Sequence, residues 1–397
     1  MNKKTLALLL FFCTSSLLYA QDNALWKFKT NDRVYASPLV DGDLVYVGSG
    51  DHKFYAVNKK SGKKVWEFKT AGAVHSSPAV VDQNVYFGSA DGTLYALNKQ
   101  SGNLLWKFSA AGEKVYDLWD YYLSSPRIAE GTLYWGSGDG HLYALESSSG
   151  NLKWKFKTNG VVHATPAIED GRVYFGSFDG LFYALNAGSG ELIWKFQTVG
   201  DTHFPKGEIQ EGAVVKGGVV YFGSRDYNLY ALDAKTGRGR WNMKERGSWV
   251  VATPLIYKDR LYVGTSDTHA FYSLNKTDGE VQWKLPLNMR VYGAAIAHED
   301  ILYFGCFNGK LYGVHSETGK IVWEFQTEES KKNYASVYDE KGRFRKDFIL
   351  YGETMEAVKS SESKIHLLGS VLSRPVIDEE VIYFGSSDGY LYAVKFK

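Results

Sequence analysis

Downstream of residue 23 the chain keeps repeating one pattern of apolar and polar positions. The stretch from Ser76 to Phe108 shows it complete: SSPAV, NVYFGS, TLYALN and LLWKF are short runs rich in β-branched and aromatic residues, separated by turn residues. Runs of this length and composition predict strands. Between the second and third run stands Asp-Gly or a relative, at Asp91-Gly92, Asp139-Gly140, Asp179-Gly180, Asn308-Gly309 and Asp388-Gly389. Such pairs supply the positive φ of a tight hairpin. Between the third and fourth comes an Asn-x-x-Ser-Gly type of turn, as at Asn58 to Gly62 and Asn98 to Gly102. There the Asx side chain bonds its own backbone and Gly takes the left-handed position. No helical period interrupts the pattern before residue 327.

The unit recurs. A Gly followed by a small residue stands at Gly48, Gly88, Gly136, Gly176, Gly223, Gly264, Gly305 and Gly385, and a Trp at Trp26, Trp66, Trp106, Trp154, Trp194, Trp241, Trp283 and Trp323. Successive Trp residues are 40, 40, 48, 40, 47, 42 and 40 apart. Four-stranded units of this period are propeller blades, so the predicted fold is all-β, an eight-bladed β-propeller. The eighth copy stops after its third strand, near Phe396, whereas ALWKFKT (Ala24 to Thr30) is a fourth strand without a blade. Joining the two closes the ring and leaves no free edge at the seam.

Each repeated Trp, with the Tyr-Ala-Leu run and the second-strand Gly, reads as blade-to-blade packing, a ring laid against a Gly of a neighbouring blade. A ligand platform needs asymmetry, which an eightfold position lacks.

The first twenty residues differ. Lys3 and Lys4, the apolar Leu6 to Phe12 and a cleavage point after Ala20 have the layout of a secretory signal. The expected organisation is a signal at 1–20, one propeller domain at 24–397 and an inserted segment at 328–370. Cys13 raises lipid attachment, but bulky Phe11 and Phe12 precede it. Beyond the signal only Cys306 is left, so no internal disulfide forms. No later stretch reaches the ~20 apolar residues of a spanning helix. The 46 Lys and Arg, less two in the signal, equal the 44 Asp and Glu, a balance that gives no footprint for nucleic acid.

Candidate chemistry sits where the repeat breaks. Aligned channel-entrance positions hold Tyr35, His75, His163, Gln210 and Tyr292, a ring of imidazole, amide and phenol able to receive a small ligand. Three enlarged links, 111–123, 199–212 and 328–370, emerge on the same face, and long loops on a rigid scaffold carry function. Trp119, Tyr121, Tyr122, His203 and Phe204 in them are the partner-binding candidates, and the first three would also stack on a sugar. The 328–370 link is expected to hold a short hairpin near Gly342 and a helix at 353–368. His203, Glu208 and Glu211 match no standard metal spacing, and no metal site is expected.

The run LYALNxxSGxxxWxF, in Leu94 to Phe108 and again from Phe182 to Phe196, resembles the pyrroloquinoline-quinone-type propeller repeat, across 24–397. Two branches share that repeat. Quinoprotein dehydrogenases hold the quinone and calcium over the channel, usually with adjacent cysteines against the quinone. BamB-type proteins are non-catalytic envelope lipoproteins that scaffold assembly of outer-membrane barrels. A single Cys in the mature chain and uncharged channel entrances, such as VYASP at Val34 to Pro38, depart from the first branch. The resemblance therefore implies an exported, periplasmic or secreted scaffold, associated with the outer membrane, monomeric, without cofactor and binding a protein or envelope component. The alternative is a protein that binds pyrroloquinoline quinone with calcium, or another small ligand such as a carbohydrate, at the channel mouth, as in a quinoprotein dehydrogenase.

Overall fold

The computed structural model describes residues 24–396; the signal and Cys13 lie outside them. The described chain forms eight four-stranded antiparallel sheets. Seven are continuous in sequence, spanning 39–69, 79–109, 127–157, 167–197, 214–244, 255–286 and 296–326. The eighth joins three C-terminal strands to the N-terminal Ala24–Lys29. That strand runs antiparallel to Tyr390–Lys395, with Trp26 opposite Ala393 and Lys27 opposite Tyr392. The ring is therefore closed by its own two ends.

Burial follows position in the blade. Second and third strands lie between neighbouring blades and are buried on both faces, which explains their near-continuous apolar runs. Fourth strands, at the rim, alternate exposed and half-buried positions. Each fourth strand carries a register shift beside its Trp, the closing strand included. Bulges there bend and break the outer edge, so eight exposed edges do not template pairing with other chains.

The repeated Trp rings have one job in seven junctions. Trp154 lies on Gly190, the turn glycine of the next blade, where a Cβ would stand 2.6 Å from the ring. Trp26 on Gly62 and Trp283 on Gly319 repeat this arrangement. The receiving Gly is thus the one in the turn before the fourth strand; the second-strand Gly instead makes room for a residue of the next blade, a valine in six blades, as Gly48 does for Val74, but Trp135 at Gly88 and Ile209 at Gly176. The indole N–H donates to a backbone carbonyl of the next blade, for example Trp154 Nε1 to Ala187 O at 3.0 Å. In six junctions a second-strand Tyr donates to the same oxygen, as Tyr134 Oη does at 3.0 Å. Among the described residues Trp323 meets no such turn glycine: the eighth blade's third strand is Tyr390–Lys395 and its fourth is Ala24–Lys29.

The Asp-Gly turns are equally structural. Asp179 accepts from Tyr183 Oη at 2.7 Å and from the Asn159 N–H of the incoming link at 3.0 Å. Asp51, Asp91, Asp139 and Asp226 do the same in their blades.

The 328–370 segment contains helix α1 (Glu328–Asn333), a bridge between Tyr338 and Phe344, and helix α2 (Met355–His366). Thr327 and Thr354 cap the helices by accepting from the N–H groups of Ser330 and Ala357. Val337, Tyr338, Phe348, Ile365 and Leu368 are buried in the largest apolar cluster, so removal of this segment would open the core.

Replacing Trp154 by Ala should cost about 3–5 kcal/mol, read from denaturant midpoints. Trp323→Ala should cost less, since it lacks the glycine stack. Equal losses would show that the stack adds nothing.

Candidate functional site

The three enlarged links fold over one end of the central channel and fill it. Tyr35, Tyr121, Tyr292, Phe307 and His366 form a plug, with Tyr121 5.5 Å from Tyr35, 5.4 Å from His366 and 5.8 Å from Phe307 between ring centroids. His75 stands 5.0 Å from Tyr35. Burial holds His75 down at about 4 and His366 at about 3, so both rings are neutral. The plug is apolar in effect although rich in polar atoms.

Two buried arginines tie the links down. Arg290 sits at the plug's edge and donates from Nη1 to both oxygens of Glu362 on α2, at 2.7 and 3.0 Å, and from Nη2 to Tyr351 Oη at 2.7 Å. Trp119 Nε1 and Tyr121 Oη donate to the same carboxylate at 3.2 and 3.3 Å. Arg225 ion-pairs with Asp117, donates to Gln210 Oε1 at 2.7 Å and lies 4.3 Å from the centre of the Trp249 ring. Phe204 packs edge-on against Trp249 at 5.0 Å.

Sequence expectations divide accordingly. Tyr35, His75 and Tyr292 are brought together around Tyr121. His163 and Gln210 do not join them. His163 is buried between carboxylates, Nδ1 at 2.9 Å from Asp120 and Nε2 at 2.7 Å from Glu113. Burial opposes its charge, but the two carboxylates outweigh it and raise the imidazole to about 9. Gln210 donates to Trp119 O at 2.8 Å. These two residues fasten the 111–123 link. Trp119, Tyr121 and Tyr122 are likewise engaged inward; Tyr122 Oη donates to Leu372 O at 2.9 Å. Of the partner-binding candidates only His203 is well exposed. Glu208 accepts from Tyr116 Oη and Glu211 lines the channel, so neither joins His203. Among the described residues no three His, Cys, Asp or Glu side chains are placed to hold a metal ion. Cys306 is buried, its thiol pushed up to about 12 by desolvation.

Beneath the plug the channel stays hollow, a cavity of about 580 Å³ walled by the first strands. Its polar side chains include His75, Arg127, Glu211, Thr253, Tyr292 and Arg374. Glu211 accepts from Thr253 Oγ1 at 3.3 Å, and burial raises its carboxyl to about 7. Arg127, Glu211 as a channel group, Arg374 and the Arg290–Glu362 pair were not singled out from sequence.

Glu362→Ala should cost about 3–5 kcal/mol, because it strands the buried Arg290 charge; hydrogen exchange in α2 should rise before the blades open. A loss under 1 kcal/mol would show the pair to be dispensable. The His163 imidazolium is favoured by folding, so its contribution is complete below pH 6.5 and disappears as pH rises through about 9. His163→Gln should flatten the alkaline fall in stability across that window, as followed by denaturation midpoints against pH.

Comparison with known proteins agrees with this architecture. No curated protein matches the chain. Among solved structures, BamB from Moraxella catarrhalis is 16% identical, with a TM-score of 0.69 over 94% of this chain and 99% of that one. A europium-containing methanol dehydrogenase is 12% identical, with a TM-score of 0.69 over 94% and 93%. The computationally designed Ika8 protein is 14% identical, with a TM-score of 0.70 over 94% and 100%. At these identities the structural likenesses establish the fold alone. The family model for outer membrane protein assembly factor BamB matches residues 16–118, 118–205 and 201–397, and the chain therefore belongs to the BamB family of pyrroloquinoline-quinone-type repeat propellers.

Proposed function

We propose that the protein is an exported, non-enzymatic scaffold of the cell envelope, monomeric, that docks a protein partner on its capped face. The observation that carries this reading is the two-sided character of the cap. Its inner side is consumed by the plug and the Arg290–Glu362 pair. Outside, its 349–367 stretch exposes Ile349 by 65%, Met355 by 56%, Leu367 by 61% and Tyr351 by 47%. Val115 and Val199, on the other two enlarged links, are 60% and 69% exposed. Large apolar side chains exposed on insertions into an otherwise repetitive scaffold suit an interaction surface. Family membership supports a role in outer-membrane protein assembly, with a periplasmic, outer-membrane-associated location. Among the described residues no helix is long and apolar enough to cross a membrane.

Quinone or sugar binding at this end of the channel would need space that Tyr121, Phe307 and His366 occupy. The stacking candidates Trp119, Tyr121 and Tyr122 are already engaged. Both observations weigh against the small-ligand alternative on this face.

The triple substitution Ile349→Asp, Met355→Asp and Leu367→Asp touches exposed positions only and should leave the thermal midpoint within a few degrees. Crosslinking in envelope membranes, with partners identified by mass spectrometry, should then lose outer-membrane assembly proteins that the unaltered chain captures. Unchanged partners would count against the surface. Dye reduction on addition of pyrroloquinoline quinone and calcium would overturn the non-enzymatic reading.

A further inference from the structure

The hollow end of the channel carries two guanidinium groups that the fold does not use. Around the ring, the residue two before the first strand is Ser, Thr, Gly or Ala in seven blades, Ser37 and Thr165 among them; in the eighth it is Arg374. The first residue of that strand is Leu39, Ala79 or another aliphatic in seven blades; in the third it is Arg127. The hydroxyls at the first position serve the ring. Ser37, Ser77, Ser125 and Thr165 each accept from the N–H of the preceding blade, at 2.9 to 3.2 Å. Arg374 takes part only through its backbone N–H, which donates to Ser37.

Neither guanidinium has a hydrogen-bond or ion-pair partner among the described residues, yet both line the same cavity of about 580 Å³ and remain reachable by solvent. Two like charges directed into one enclosure weaken the fold. Burial holds both below the ordinary arginine range, and for Arg127 the Arg374 charge adds to it. The acid in the same cavity, Glu211, is raised to about 7 by burial, so it is only part-ionised at neutral pH and offsets only part of this. A lining with an excess of donors and positive charge, of a size that suits a small molecule, complements an anion. Guanidinium forks match carboxylate and phosphate oxygens bidentately.

We propose that the open end of the channel binds a small polyanion of carboxylate or phosphate chemistry, clasped between Arg127 and Arg374. The site lies beneath the plug, away from the capped face, so it stands or falls independently of partner docking there.

Calorimetry on the full mature chain with citrate and with inorganic phosphate, against glucose as a neutral control, tests it. Saturable binding of either anion, weakened by added salt, is expected; citrate alone would assign carboxylate chemistry and phosphate alone phosphate chemistry. Arg127→Leu and Arg374→Ser install what other blades carry at those positions, so folding should persist while affinity falls by about tenfold or more for each. In the unaltered protein, the bound anion should also protect Arg127 and Arg374 from phenylglyoxal, read by mass spectrometry, which needs no variant. Absence of saturable binding up to about 10 mM of either anion, affinity unchanged in the double variant, or equal labelling with and without anion would overturn the assignment.

Discussion

The contact on which the ring depends is a flat indole laid on a glycine of the next blade. It needs two things at once. The glycine must hold a positive φ, and its α-carbon must be bare, since a Cβ at Gly102, Gly190 or Gly237 would stand 2.6 to 2.7 Å from the ring. The indole N–H then finds a carbonyl that a Tyr of the same blade also uses, so the polar end of a large apolar side chain is satisfied at the interface. Each blade stabilises the next in this way, as in other repeat architectures. A linear array would leave its two end faces uncovered. The split eighth blade removes both ends, because Trp26 on the N-terminal strand makes the same stack on Gly62 as the next six Trp residues make on their neighbours. At the opposite side of the seam Phe396 packs on Tyr303 and His298 instead, at 5.1 and 5.3 Å.

Ring closure creates a channel, and its two ends are treated differently. One is sealed by residues from all three enlarged links, which meet one another only there: Trp119 and Tyr121 from the first, Gln210 and Phe204 from the second, Glu362 and His366 from the third. Three buried cations are matched in place, Arg290 by Glu362, Arg225 by Asp117, His163 by Asp120 and Glu113. Removing one partner of such a pair costs far more than the pair contributes in net terms. The cap is consequently cooperative with the blades and not an appendage.

The repeat, the blade count and the seam were legible in the sequence because they rest on local rules, namely strand composition, turn chemistry and period. The helix expected at 353–368 was also legible and is found at 355–366. What could not be read was direction. His163 and His75 occupy equivalent positions in their blades, yet the first is drawn into an ion-paired cluster by Glu113 and Asp120 of a neighbouring link, and the second is left neutral beside Tyr35. Only the folded path of 111–123 separates them. The charged composition of 328–370 hid its buried Val337, Ile365 and Leu368, because the apolar residues are spaced widely along an irregular path. Arg127 and Arg374 were visible in principle. Their signal was a charge at a ring position that is small or aliphatic elsewhere, and it emerges only when all eight copies are aligned on the first strand.

That contrast bears on where function can reside in such a fold. Proteins as different as a methanol dehydrogenase and a designed propeller share this architecture at 12 to 14% identity, so the eightfold positions are explained by the ring itself. Only departures from the repeat remain to be explained by something else. Here they fall at both ends of one channel, on either side of the plug. Its histidines are held neutral at about 4 and 3, its tyrosines resist ionisation through burial, and the nearest arginine is already paired. The unpaired Arg127 and Arg374 line the hollow end, whereas the exposed apolar side chains of the enlarged links, Ile349, Met355 and Leu367 among them, stand at the capped end. The two ends differ in the kind of partner each can accept, since exposed apolar side chains gain from excluding water and unpaired guanidiniums gain from an anion.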